Sequence, residues 1–474
     1  MNELMRKTMA EQAALVKSGE VSASDLVEAA ITSIEALNPK INAVVIPMFD
    51  IARAAVKDLK GDEGFSGVPM LLKDMVAEYA GSPMTEGSRF LQGYISPRDS
   101  ELVARMRRAG FIVCGKTNSP EFASKPTTEP ELYGATKNPW DLSLSPGGSS
   151  GGAGAAVAAG MVSVAHANDG GGSTRVPAAA CGLVGLKGTR GRNPLGPDYG
   201  DIGAAGLLSE HVVTRTVLDN ALMLDVTEGA DLGAPFYPPP PVRPFAEEVG
   251  ADPGRLRIAF SDQPVIPTEV HPDCVAAVRD IAKLCEDLGH HVEEAKPVAN
   301  AENFHRNFTT IWMGMVGWMI RDWERRIGRK AEPEFFEKHT WKMYSIDQKN
   351  RPSDFLLAVH DMQVFSREIA PFFEQYDVWL TPTLTRPPPP LGWFDFDPQN
   401  RHQSTERMEQ YPRFTSLANV TGQPAISLPL CCNDGGLPIG IQLMGRYADE
   451  ATLLRVAAQL ETARPWAHRW PDLG

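Results

Sequence analysis

Cysteine and histidine are scarce in this chain of 474 residues, and neither falls into a pattern that holds a metal or a crosslink. The six cysteines (Cys114, Cys181, Cys274, Cys285, Cys431 and Cys432) form no CxxC pair, and the adjacent Cys431 and Cys432 are poorly placed to bond each other. A disulfide-stapled secreted scaffold is excluded, and reduced thiols fit the cytoplasm. The histidines give no HExxH and no cluster with carboxylates at ligand spacing, so no metal or other cofactor is expected. Positive charge is short as well: 46 Lys and Arg face 59 Asp and Glu, a net charge of −13. Nucleic-acid surfaces are basic, so nucleic acid is not an expected partner. Long apolar runs are also missing. The most apolar stretch, Ile311 to Ile320, meets Arg321 and Asp322 far short of the 18 or so residues a membrane span takes. The amino terminus lacks the apolar core of a signal peptide. A soluble, cytoplasmic protein with no membrane partner is expected, as a monomer or homodimer.

Apolar residues, at 43% of the chain, suffice for a large core. Residues 1–65 read as helices, with Leu26, Ala29, Ala30, Ile34 and Leu37 at helical spacing and a start signal in Ser22 and Asp25. From 66 to about 230, short apolar runs alternate with helical stretches, as in an α/β sheet. Phe111 to Cys114 reads as a buried strand and Ala153 to Ala159 as a helix of very small side chains. The tract Tyr237 to Pro241 interrupts regular structure. Residues 231–375 read as a largely helical insertion, although Leu256 to Phe260 is a strand; the stretch from about Asn303 to Phe373 is rich in Trp, Met and Phe. Residues 376–474 bring the last strands, Ala425 to Leu428 and Ile439 to Leu443, and a helix from Glu450 to Glu461. One large α/β domain is the expectation.

Three segments carry chemistry. In Val68-Pro69-Met70-Leu71-Leu72-Lys73 an apolar run leads into a lysine, which suggests an amine carried into the interior, where burial lowers its pKa toward that of a general base. Taken alone, the same lysine reads as a surface residue. Ser149 and Ser150 lie between two glycine pairs; the plainer reading is a flexible loop. In Gly170-Gly171-Gly172-Ser173, the glycines leave backbone N–H groups unscreened, able to face an oxyanion beside a serine nucleophile. Asp169 and Arg175 flank this loop and are expected to pair and hold it. His166 is the only histidine near the serine motifs. Gly147-x-Ser149-x-Gly151 also fits the nucleophile elbow of serine α/β-hydrolases, although Ser145-Pro146 stands where the elbow needs a strand. Gly110 to Thr117 fits the phosphate-loop pattern literally, but its middle residues make a strand.

With Gly115 to Asn118, Gly134 to Pro139, Cys181 to Lys187 and Asn419 to Pro429, these segments resemble the amidase-signature family over most of the chain. Within it, Ala165 to Asp169 and Leu186 to Arg192 look most like the 6-aminohexanoate cyclic-dimer hydrolase branch. The resemblance implies one amidase domain over 1–474, a central mixed sheet flanked by helices, and a Ser-cisSer-Lys triad. Ser173 would be acylated, Ser149 would follow a cis peptide and relay the proton, and Lys73 would be the base. Gly170, Gly171, Gly172 and Ser173 would supply oxyanion donors, with Ser150, Asp169 and Arg175 supporting the loop. Small-molecule amides, including cyclic or oligomeric amides and anilides, would be substrates, with ester or carbamate (urethanase) side activity. Asn168 and Gly170 depart from the family's usual Thr and Thr or Ile, and Gly188 stands where proline is common. Two alternatives stay open: the glutaminase subunit of a tRNA-dependent amidotransferase, and a serine α/β-hydrolase using Ser149. Trp312, Met315, Trp318 and Met319 partly share one helical face and are expected to wall the substrate pocket, with ordinary core as the other reading. Gly314 and Gly317 remove volume there and point to a cavity.

Overall fold

In the computed structural model, which describes residues 2–200, 205–236, 238–400 and 402–473, eleven strands form one sheet. They are β1 (Val44–Pro47), β2 (Pro69–Lys73), β3 (Ile112–Thr117), β4 (Val164–Asp169), β5 (Val184–Lys187), β6 (Ser209–Thr214), β7 (Arg257–Phe260), β8 (His291–Glu294), β9 (Val378–Pro382), β10 (Ala425–Cys432) and β11 (Pro438–Gly445). Their order across the sheet is β1-β3-β2-β4-β6-β5-β10-β11-β9-β7-β8. β2 runs parallel to both β3 and β4, and β7 runs parallel to β8 and β9; the remaining neighbours are antiparallel. This is the mixed, helix-flanked α/β sheet expected from the sequence. Every residue of β2, β3 and β4 is buried, as strands covered on both faces must be.

The helix Gly151–Ala158, made of glycine, alanine and one valine, is buried throughout and packs with Ala23–Ile41, β3 and β4 into one apolar cluster. A second cluster joins Val378, Leu380, Ile426, Leu428, Ile441 and Leu443 to the helices Pro272–Asp287 and Glu450–Ala463. β7 and β8, from the stretch 231–375, extend the same sheet at one edge.

Two features differ from expectation. Residues 1–65 are not all helical: Asn42 (φ 58) ends the helix Ala23–Ile41, and the β-branched run Val44-Val45-Ile46 then pairs with β3 as an edge strand. Cavities lie against Trp312, Met313, Met315, Trp318 and Met319 of this segment, as expected, but the space at Gly314 and Gly317 themselves is filled by neighbours. A Cβ at Gly317 would lie 2.1 Å from Asp347 Oδ2, and one at Gly314 would lie 2.8 Å from Phe355 Cδ2. Both glycines let the helices Lys338–Asp347 and Pro352–Ile369 approach the long helix Phe304–Ile327. Among the described residues, no helix is long and apolar enough to cross a membrane. Tyr237, at the start of the proline tract, lies outside the described residues.

Candidate active site

Lys73 closes β2 with its side chain fully buried. His166 and Asn168 lie two residues apart on β4, hence on one face of that strand, and meet Lys73 at both ends. The Lys73 backbone N–H donates to His166 Nδ1 at 3.2 Å, and Lys73 Nζ lies 2.5 Å from Asn168 Oδ1. Nζ also lies 2.7 Å from Ser149 Oγ. Burial lowers the amine to about pH 7, against the opposing pull of Glu210, Asp169 and Glu86.

Because His166 Nδ1 accepts from Lys73, the ring proton sits on Nε2, which faces Glu210 of β6. Glu210 in turn stands opposite Asn168 in the β4–β6 register. His166 is thus engaged with the Lys73 amide and Glu210, not with either serine.

Ser149 follows a cis peptide from Gly148 and is fully buried just before the helix Gly151–Ala158. No strand leads into it: the preceding strand, β3, ends at Thr117. The elbow of an α/β-hydrolase is therefore not built here. Ser150 ties the loops together, its N–H donating to the Ser173 carbonyl at 3.3 Å and its Oγ to the Asn168 carbonyl at 3.3 Å.

Asp169, at the end of β4, organises the loop that carries Ser173. Its carboxylate accepts from the N–H groups of Gly172 (2.6 Å) and Thr174 (3.3 Å) and from the Arg175 guanidinium. Arg175 also donates to the Thr415 carbonyl (2.9 Å), Gln442 Oε1 (2.7 Å) and Asn419 Oδ1 (2.7 Å). Asn419 Nδ2 returns to the Asp169 carbonyl and Oδ1, both at 2.9 Å. Burial disfavours the Asp169 charge, but the Arg175 charge and the hydrogen bonds of Arg175 and Asn419 outweigh it and hold the carboxyl at about 2.

One expected oxyanion donor is corrected. Gly172 N–H is committed to Asp169 inside the loop, whereas the N–H groups of Gly170, Gly171 and Ser173 have no acceptor among the described residues. Gly172 sits at φ 132, and a Cβ there would lie 2.1 Å from Thr415 Oγ1, so the loop admits only glycine at this point.

Two cavities meet at Ser173. The larger, about 270 Å³, is lined by Gly171, Ser173, Phe308, Trp312, Met313 and Met343, among others; in its wall His305 Nε2 also lies 2.9 Å from Glu409 Oε1. The smaller, about 20 Å³, lies against Ser149, Asn168, Gly170, Ser173, Tyr199 and Met315, with Trp318 and Met319 completing that side. Trp312 borders both, its ring lying over Gly170 and Gly171. Met315 and Met319 also pack with Met75, Phe90 and Trp323, so these two methionines are core and cavity wall at once. Sequence reasoning gave no role to Asn168, His166, Glu210, Thr415, Gln442 or Phe308. The available signal was the two-residue spacing of His166 and Asn168 on a strand.

The comparisons with known proteins converge. The family model Amidase matches residues 25–454. The 6-aminohexanoate-cyclic-dimer hydrolase of Paenarthrobacter ureafaciens is 40% identical over 98% of this chain and 96% of its own length. A putative amidase of Mycobacterium tuberculosis is 38% identical over 95% of this chain and 93% of its own. The solved structure of 6-aminohexanoate cyclic dimer hydrolase complexed with substrate superposes with a TM-score of 0.94 at 39% identity, over 99% of both chains.

Proposed function

The chain belongs to the amidase family and is an amidohydrolase of non-peptide carboxylic amides, and from that premise we propose that Ser173, Ser149 and Lys73 are its nucleophile, proton relay and general base. The observation that carries the assignment is the 2.7 Å contact between the buried Lys73 amine and Ser149 Oγ, beside a cavity that Ser173 shares. A serine hydroxyl needs a base to attack an amide at neutral pH, and an amine lowered to about 7 by burial can serve.

Ser173 Oγ attacks the amide carbonyl while its proton passes through Ser149 to Lys73. The free N–H groups of Gly170, Gly171 and Ser173 hold the oxyanion, and Asp169, Arg175 and Ser150 keep their loop in shape. Return of the proton through Ser149 releases the amine, and water then cleaves the acyl-enzyme. Esters and carbamates react by the same steps.

The substrate class proposed is a cyclic or oligomeric aliphatic amide, an anilide or a carbamate. Its support is the apolar cavity walled by Phe308, Trp312, Met313 and Met343, together with the relatives that cleave a cyclic amide dimer. Six unbonded cysteines support a reducing, cytoplasmic setting, and a monomer or homodimer is proposed as the working form. The deciding experiment is a screen of the purified chain alone against cyclic amides, anilides, carbamates and glutamine. Turnover of the apolar amides is expected. Exclusive hydrolysis of glutamine would return the chain to an amidotransferase subunit.

A further inference from the structure

Asn168 carries a hydrogen-bonding group that no atom of the described residues uses. Its side chain is 2% exposed and its Oδ1 lies 2.5 Å from Lys73 Nζ, yet its Nδ2 is buried without a partner among the described residues. A buried donor without an acceptor is costly, and most such groups in folded proteins find one. Asn168 also lines the small cavity with Ser149, Gly170 and Ser173, where a bound substrate can supply the acceptor.

We propose that Asn168 both positions the base and touches the substrate in amide cleavage. Its Oδ1 takes one N–H of the neutral Lys73 amine, and its Nδ2 donates to a carbonyl oxygen that the substrate brings into the small cavity. The proposal rests on the assignment of Lys73 and Ser149 as base and relay.

The geometry of the amine supports the first half. A neutral amine has two N–H bonds and one lone pair, and only the lone pair can take the Ser149 proton. With one N–H held by Asn168 Oδ1, rotation about the last bond of the side chain is restricted and the lone pair can settle toward Ser149 Oγ. β4 holds the other end of Lys73 through His166, so one strand face fixes the residue from backbone to tip. Charge explains why the residue is an amide. Glu210 of β6, Asp169 at the end of β4 and Glu86 already favour the ammonium, while burial opposes it. Another carboxylate at position 168 would hold Lys73 protonated and block its action as a base. Position supports the second half: Asn168 lines the small cavity together with Ser149, Gly170 and Ser173, so a carbonyl brought to Ser173 comes up against the same wall.

The test compares the wild-type enzyme with Asn168→Ala and Asn168→Asp. One readout is the rate at which a fluorophosphonate modifies Ser173 as a function of pH; the other is kcat and KM for hexananilide. The alanine variant should label at least about tenfold more slowly. The aspartate variant keeps an acceptor for the amine but adds charge, so its labelling midpoint should move up by about one pH unit or more. Both variants lose the Nδ2 donor and should raise KM. If the alanine variant does not fold, the isosteric aspartate variant decides. Folded variants that label at the wild-type rate and midpoint overturn the positioning role, and an unchanged KM in both overturns the substrate contact. A wild-type enzyme that the probe leaves unmodified at Ser173 refutes the nucleophile assignment instead, which separates the two failures.

Discussion

Asp169 and Arg175 meet through two parallel contacts of 2.9 Å, Nε to Oδ2 and Nη2 to Oδ1, with both side chains out of reach of water. Such a fork-to-carboxylate pair is strong because both charges are fully hydrogen-bonded. Arg175→Ala strands the carboxylate, and the variant should lose about 3–5 kcal/mol of stability by chemical denaturation. Arg175→Lys should recover little of it, because a single ammonium cannot repeat the fork. A wild-type unfolding midpoint in either variant would contradict this account of the loop. The sign of the pH dependence follows. The Asp169 carboxyl is held at about 2, below its ordinary value, so its contribution to stability is present above about pH 4 and is lost between about pH 4 and 2.

Activity should depend on pH through Lys73. The amine is lowered to about 7 and acts as a base only when unprotonated, so kcat/KM should rise through a midpoint near pH 7 and fade on the acid side. Lys73→Ala should lower kcat/KM by about two to four orders of magnitude while leaving the chain folded. A flat profile from about pH 5 to 9 would count against a lysine base.

Covalent capture should distinguish the two serines. A fluorophosphonate, or a slowly turned-over amide, is expected to label Ser173 in peptide mass mapping, with no label in Ser173→Ala. Label on Ser149 would exchange the roles of nucleophile and relay.

The segments that meet at the candidate site were legible because their signals are local: a glycine run, a paired serine loop, and an apolar strand ending in lysine. The sheet was legible for a similar reason, since buried strands such as Ile112–Thr117 leave apolar runs bounded by turns. What holds those groups in place was not. Asn168 looked like a departure from the family pattern, and its contact with Lys73 depends on how β2 and β4 pair, a long-range register that no local string reports. Thr415 and Gln442 reach Arg175 from sequence separations of 240 and 267. Gly314 and Gly317 pointed to a segment that does line cavities, but for another reason than supposed: a missing side chain signals a close neighbour as readily as an empty space, and here the neighbours are Asp347 and Phe355.

Trp312 and Met319 should part company on mutation. Trp312 stands between the two cavities, so Trp312→Ala joins them and should reorder activity across a panel of amides of different bulk. Met319, 2% exposed among packed side chains, should lose about 2–5 kcal/mol on truncation to alanine. Thermal melts beside the amide panel separate these outcomes. A uniform loss of every activity in Trp312→Ala, together with its folding, would make that residue core as well.

Thr415, Asn419 and Gln442 complete the setting of Arg175 from the far end of the polypeptide. At about 5–20 residues per second on the ribosome, the serine loop emerges some tens of seconds before these partners are made. On the proposed assignment, a nascent chain that already contains Lys73, Ser149 and Ser173 still lacks the partners that set Arg175, and hydrolytic competence is expected only once Gln442 of β11 has been made.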